Sequence, residues 1–225
     1  MEIQATEMES IVKNFEENIE SIFEGFNENS RGYAWYDLNE AFANESFFTD
    51  QKAKDLFIHL ANWGMVARGS FLMKHTWRIL KSVIEILQKS EYKELRNPEI
   101  ETIEKNIDLI IQLRDEIGKS LKTYHDNKTV SYTLISKILL GTLGCIVAYD
   151  RNVKQTLSES EIAFPYFNKK SISALCEYYI QNKTDFENLR KKVENLTNKE
   201  CPPFKLLDLV LWSAASANNG DESEE

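Results

Sequence analysis

Apolar residues recur at helical spacing along almost the whole chain. Met8, Ile11, Val12, Phe15, Ile19, Ile22, Phe23 and Phe26 follow an i, i+3, i+4, i+7 rhythm. That rhythm lays one apolar stripe along an α-helix and predicts a helix over 5–24, closed by Gly25 and the polar run 27–32. A second helix is expected to start at Thr49 or Asp50, either of which can accept a bond from an orphan amide, and to run toward Gly64. Phe71, Leu72, Ile79, Leu80, Val83, Ile84 and Leu87 predict one long helix. Ile100, Ile103, Ile107, Ile110, Ile117 and Leu121 stripe another that continues to about Tyr124.

Asn97-Pro98 separates these two, because the pyrrolidine ring disfavours helical backbone in the residue before it. The stretch 130–143 reads as a buried helix, with Gly141 and Gly144 punctuating its end. Beyond Phe164-Pro165, two shorter helices are expected at 171–181 and 185–196, and Pro202-Pro203 opens a last one over 204–217. A proline's missing N–H is no loss in a first turn. Only 129–134 has strand-like composition, and its flanks make it helical. No repeat and no Gly/Ser-rich linker appears. The pattern therefore predicts an all-α fold, a single globular domain of roughly eight to ten helices. Its expected parts are an acidic N-terminal helix and connection at 1–32, a core at 33–217 and a disordered acidic tail at 218–225.

Composition leaves that picture intact. With 225 residues, 42% hydrophobic and 11% aromatic, wholesale disorder, collagen and a disulfide-dense scaffold are excluded. Charge changes it more, because the formal total of −9 conceals a strong bias along the chain. Residues 1–51 carry −10, 52–89 carry +5, 90–117 carry −4, 118–154 carry +4, and the tail 221–225 carries −4. A nucleic-acid-binding protein needs a basic patch rather than a basic total, so DNA or RNA remains a candidate partner. The alternative is that acidic helices simply pair with basic ones or face water.

Cys145, Cys176 and Cys201 are odd in number, widely spaced and without a C-x-x-C, which fits a reducing cytoplasm better than a disulfide framework. The Met-Glu-Ile-Gln start lacks the basic, then apolar, build of a secretory signal. The longest near-apolar run, 138–148, is far short of the ~20 residues that span a bilayer, so no membrane partner is expected. Oligomeric state is not legible.

Three clusters could carry chemistry. In the first, Trp63, Gly64, Arg68 and Gly69 suggest a tight turn with phosphate and stacking contacts, against the plainer alternative of a helix junction over a buried indole. Arg68 and His75 also fit the loose Arg-x6-His pattern of HEPN-type ribonucleases. In the second, Lys137 precedes a Gly141-x-x-Gly144 hairpin that Asp150-Arg151 follows. A helix–hairpin–helix of this kind could aim backbone amides at a phosphate. Charges in so apolar a stretch need partners, so a structural ion pair is the competing account. In the third, Lys205 and Asp208 share one helical face, with Trp212 one turn on. The aromatic segment Tyr33, Trp35, Tyr36, Phe42, Phe47 and Phe48 reads as core. No nucleotide-binding loop, dinucleotide fingerprint, zinc-protease, nucleophile-elbow or kinase motif is present, and the three histidines lack metal spacing. Neither a cofactor nor a metal is therefore expected.

Taken together, the clusters resemble a family of bacterial all-α proteins of similar length and no assigned activity. Its members carry W-G-M-Y-R-G-S-S-F-L, then L-G-T/V-F-G-C-V-P-A-Y-D-R, then P-x-M-K-L-x-D-M-x-x-W. The matching positions here are Trp63-Gly64-Met65 with Phe71-Leu72, then Leu140 to Cys145 with Ala148-Tyr149-Asp150-Arg151, and last Pro203 to Leu206 with Asp208 and Trp212. Val147 stands where the family has proline. Ala67 stands where it has arginine, with Arg68 one place later. More distantly, a lysine before a hairpin and an aspartate after it look like the helix-hairpin-helix DNA glycosylases, although the catalytic aspartate there lies much further beyond the hairpin. A fold-level likeness does not license a reaction.

The leading expectation is a nucleic-acid-associated helical protein serving genome maintenance or phage defence. Arg68, Arg151, Trp63, Gly141, Gly144, Lys205 and Asp208 are its candidate binding residues. The first alternative is a glycosylase-like base-processing enzyme with Asp150 and Lys137 as catalytic residues, in which a carboxylate stabilises a sugar cation and an amine attacks it. The second is an interaction subunit whose acidic arm, 1–51, docks a basic protein.

Overall fold

The computed structural model describes residues 2–44 and 48–218, with side chains from Ser10 to Ala215; Phe47 and residues 219–225 of the expected tail lie outside the described residues, while Asn218 ends the last helix. Helix is the only regular secondary structure in them. Eleven α-helices and four 3-10 turns exceed the expected eight to ten, because 34–43 and 151–159 form helices that the apolar pattern does not mark and two stripes that read as continuous are broken. The expected long helix from Phe71 to Leu87 is instead two 3-10 turns, Phe71–Lys74 and Trp77–Leu80, followed by a short helix. Ser70 Oγ accepts the Leu72 amide and Thr76 Oγ1 the Arg78 amide. Such local side-chain acceptors offer the backbone an alternative to the helical ladder. The stripe from Ile100 breaks at Asn106, whose side chain donates to the Thr102 carbonyl at 3.0 Å.

In chain order, α1 (Glu2–Ile22) is followed by α2 (Ala34–Ala43) and α3 (Thr49–Asn62). Neither Thr49 nor Asp50 caps α3, which starts after an extended Phe48 with no side-chain cap. Next come α4 (Lys81–Leu87), α5 (Ile100–Lys105), α6 (Ile107–Lys122) and α7 (Tyr132–Leu143). The chain then adds α8 (Arg151–Glu159), α9 (Lys169–Gln181), α10 (Lys183–Thr197) and α11 (Pro203–Asn218), the last opened by proline as expected.

One continuous core joins apolar faces of α1, α3, α4, α6, α7, α9, α10 and α11. Each fully buried Leu, Ile or Phe contributes about 1.5–3 kcal/mol of transfer free energy. Sandwiched between neighbours, α7 has no solvent face after Lys137, which matches its unbroken apolar sequence. The acidic α1 is not a detached arm. Val12, Phe15 and Ile19 are buried, and it packs on α10 and α11 with a Lys192–Glu16 ion pair. A smaller apolar cluster of Trp35, Tyr36, Leu140 and Ala148 stands beside the main core, flanked by Phe26. That satellite forms the floor of the cavity described next.

No described helix is long and apolar enough to cross a membrane.

Candidate functional site

Trp63, Lys137, Asp150, Lys205 and Asp208, drawn from three distant stretches of sequence, line one cavity of about 490 Å³. Arg68 and Arg151 do not join them. Arg68 is exposed on the loop after α3, and Arg151 is exposed at the first residue of α8.

The connection between α7 and α8 carries most of this convergence. Gly144 ends α7 in the left-handed conformation, its amide bonded to the Leu139 and Leu140 carbonyls. A Cβ there would sit 2.7 Å from Asn97 Oδ1, so glycine is required twice over. The buried, non-helical residues that follow satisfy their backbone groups through side chains. Ala148 N–H donates to Asp208 Oδ1 at 2.8 Å, Tyr149 N–H to Ser136 Oγ at 2.9 Å, and Thr133 Oγ1 donates to the Tyr149 carbonyl at 2.7 Å. Asp150 is thereby fixed at the head of α8. Its Oδ1 accepts the Val153 amide at 3.1 Å as an N-cap, and its Oδ2 faces Lys137 Nζ at 3.5 Å. Lys137 Nζ also donates to the Trp63 carbonyl at 3.2 Å.

The expected Gly-x-x-Gly phosphate hairpin is not formed. Gly141 lies inside α7, where its missing Cβ leaves room for His59 and Leu38, and both glycines are buried. The Val153 amide in the first turn of α8 is capped by Asp150 itself. Gly64 and Gly69 supply left-handed turns in open surroundings, not a close backbone approach. Asp208 does have a buried partner, and it is the Ala148 amide.

Lys205 is the unusual group. Only 5% exposed, it makes no ion pair among the described residues, and its Nζ lies 5.3 Å from the centre of the Trp35 ring. A buried ammonium with no ion pair is costly; the Trp35 face and the neighbouring Asp208 charge offset part of that cost. Beside it, burial pushes the Asp208 carboxyl up to about 6, Lys205 opposing and Asp150 reinforcing the rise. His59 Nδ1 donates to the Ala34 carbonyl at 3.2 Å. Burial lowers that imidazole to about 4, and the Lys205 and Lys137 charges add to the effect. His59 is therefore neutral at physiological pH, with Nε2 left as an acceptor.

Aromatic rings enclose these polar groups. Trp35 and Tyr36 meet edge to face at 4.9 Å, and Phe26 extends the array. Trp63 is covered by Arg31 at 4.9 Å and Lys137 at 5.9 Å, and its indole N–H is buried with no acceptor among the described residues. Trp212, 42% exposed, stands at the mouth. Asn14, Asn18 and Ser21 of α1 complete one wall. Sequence reasoning assigned neither His59, nor Trp35, nor this α1 face to a site. The uncharged set 14, 18, 21 on an otherwise acidic helix was the available signal.

Compared with known protein families, curated proteins and solved structures, the chain matches none. No group of three or more His, Cys, Asp or Glu among the described residues could hold a metal ion. All three cysteines are free and buried.

Proposed function

We propose that the chain is a nucleic-acid-associated protein, serving genome maintenance or phage defence, whose aromatic cavity takes a single unpaired base. The observation that carries this reading is Lys205, a nine-tenths-buried ammonium that makes no ion pair among the described residues, on the wall of an aromatic cavity. Such a group is stabilised by a ligand acceptor. The cavity volume lies in the range of small-molecule sites, about 300–1,000 Å³. Stacking of a base on aromatic side chains contributes about 1–3 kcal/mol, and Asp208 Oδ2 accepts no bond among the described residues, so it is available to a base N–H. The test is tryptophan fluorescence during titration with nucleosides and with short DNA and RNA strands at low salt. Quenching by nucleoside and strand is expected, with affinity at least tenfold weaker in Lys205→Met. Absence of binding by every nucleoside and strand would refute the reading.

A second reading, base excision, is favoured by one contact, Lys137 Nζ 3.5 Å from Asp150 Oδ2 in the cavity wall. Lys137, having passed a proton to Asp150, would attack the sugar C1′ as an amine. The C1′–base bond would break, its electron pair leaving with the base, which takes the proton from Asp150. The lysine nitrogen would then open the sugar ring, C1′–O4′ breaking as O4′ takes a proton released by that nitrogen, to give an imine. Borohydride would then trap the resulting imine as a protein–strand adduct, and Lys137→Gln would abolish it. No adduct and no released base on lesion-bearing strands sinks this reading while leaving base binding intact.

A further inference from the structure

We propose that a second cleft, distinct from the aromatic cavity, binds phosphate groups of the nucleic-acid strand whose base that cavity takes; the proposal rests on the base-binding reading above. The cleft, about 350 Å³, lies where the two basic segments meet. Gly69, Lys74 and His75 of the first segment line it together with Tyr124, His125 and Lys128 of the second. Among the described residues, none from the acidic first quarter lines it, whereas α1 walls the aromatic cavity.

Its cations are available. Other lysines of the two basic segments are already engaged, Lys81 with Asp50, Lys89 with Glu116 and Lys137 with Asp150. Lys74 and Lys128 are exposed and form no ion pair among the described residues. Asp126 is the carboxylate on the lining, so the two ammonium groups outnumber it.

The imidazoles are held in place. His75 Nε2 donates to the Tyr124 carbonyl at 3.0 Å. His125 stacks on Phe71 with ring centres 4.5 Å apart, and its Nδ1 is buried with no partner among the described residues. Lysine ammoniums act as point charges toward phosphate.

The chain ties cleft to cavity. Trp63 borders the cavity and Gly69 the cleft, six positions apart, so at most about 22 Å of extended chain separates the two. Arg68 lies exposed on that link. A strand with one base in the cavity would pass Arg68 and bring phosphates to Lys74 and Lys128 within a few nucleotides.

Two measurements test this. Inorganic phosphate is titrated into the full chain while the His75 and His125 ring protons are followed by NMR, assigned with His75→Gln and His125→Gln. A saturable shift is expected, and it should be lost in the double variant Lys74→Gln/Lys128→Gln. No saturable shift overturns the cleft site, whatever the cavity binds. In the second measurement the same double variant should bind a short single strand about tenfold more weakly. Its salt dependence should be shallower by about 1.4 in the logarithmic slope, the release expected for two phosphate contacts on a single strand. Nucleoside binding should be unchanged. A phosphate shift with unaltered strand affinity and slope would identify a free-phosphate site and overturn the strand proposal. Strand binding that depends on Lys74 and Lys128 without any nucleoside binding would overturn the cavity reading and keep the cleft.

Discussion

Replacing Asp208 by asparagine should change how stability depends on pH, in a direction fixed by the cavity wall. Burial raises the Asp208 carboxyl to about 6 from an ordinary 3.8 and lowers the His59 imidazole to about 4 from 6.5. Each difference corresponds to about 3 kcal/mol between protonation states. The signs oppose. Asp208 holds its proton more tightly when folded, so its contribution is fully present below about pH 4 and lost as pH rises through about 6. His59 holds its proton less tightly when folded, so its contribution is present above about pH 6.5 and lost as pH falls through about 4. Over the same window the two nearly cancel. In Asp208→Asn only the His59 dependence survives, because the amide oxygen can still accept the Ala148 N–H. The stability of the variant minus that of the parent should therefore rise by about 3 kcal/mol from pH 4 to pH 6.5. Urea unfolding of both proteins across that range measures it. A difference that stays flat would mean that Asp208 titrates as an exposed carboxyl, and the account of the cavity would be wrong.

Gly141→Ala should destabilise by about 1–3 kcal/mol in thermal unfolding, despite alanine's better helix propensity, because the new Cβ would lie 2.8 Å from both His59 Nε2 and Leu38 Cδ2. A gain in stability would refute the close approach. Asp150→Ala should be about 1 kcal/mol less stable than Asp150→Asn, since both lose the charge facing Lys137 and only asparagine keeps the cap on α8; equal melting curves would exclude the capping role. Burial pushes Cys145, Cys176 and Cys201 up to about 12, so none should react with a thiol reagent until denaturant is added. Prompt labelling of any one in native buffer would contradict that placement.

The all-α class was legible because it follows from a one-dimensional signal, the 3.6-residue recurrence of apolar positions. The helices at α1, α7, α10 and α11 fall within about a turn of where the pattern puts them. The failures are local. Ser70, Thr76 and Asn106 compete for backbone groups, and an apolar stripe does not register such competition. The site was partly legible. Lys137, Asp150, Lys205, Asp208 and Trp63 stood out as charges or an indole in apolar or glycine-flanked runs, and they share a cavity. Trp35 read as core because it is core on one side, with its indole N–H bonded to the Leu140 carbonyl and its ring under Lys205.

Sequence alone determined that the chain is helical, that three stretches combine charge with apolar surroundings, and that the basic residues form two blocks. Each of these depends on neighbours along the chain. Only the tertiary structure decided that the three stretches enclose one cavity, that the two glycines serve packing and a helix end, and that the basic blocks meet at a separate cleft. Those facts depend on contacts between residues tens of positions apart, such as Asp208 with Ala148 and His75 with Tyr124. Burial fixed the rest, because the same carboxyl or imidazole titrates where its surroundings put it and not where its residue type does.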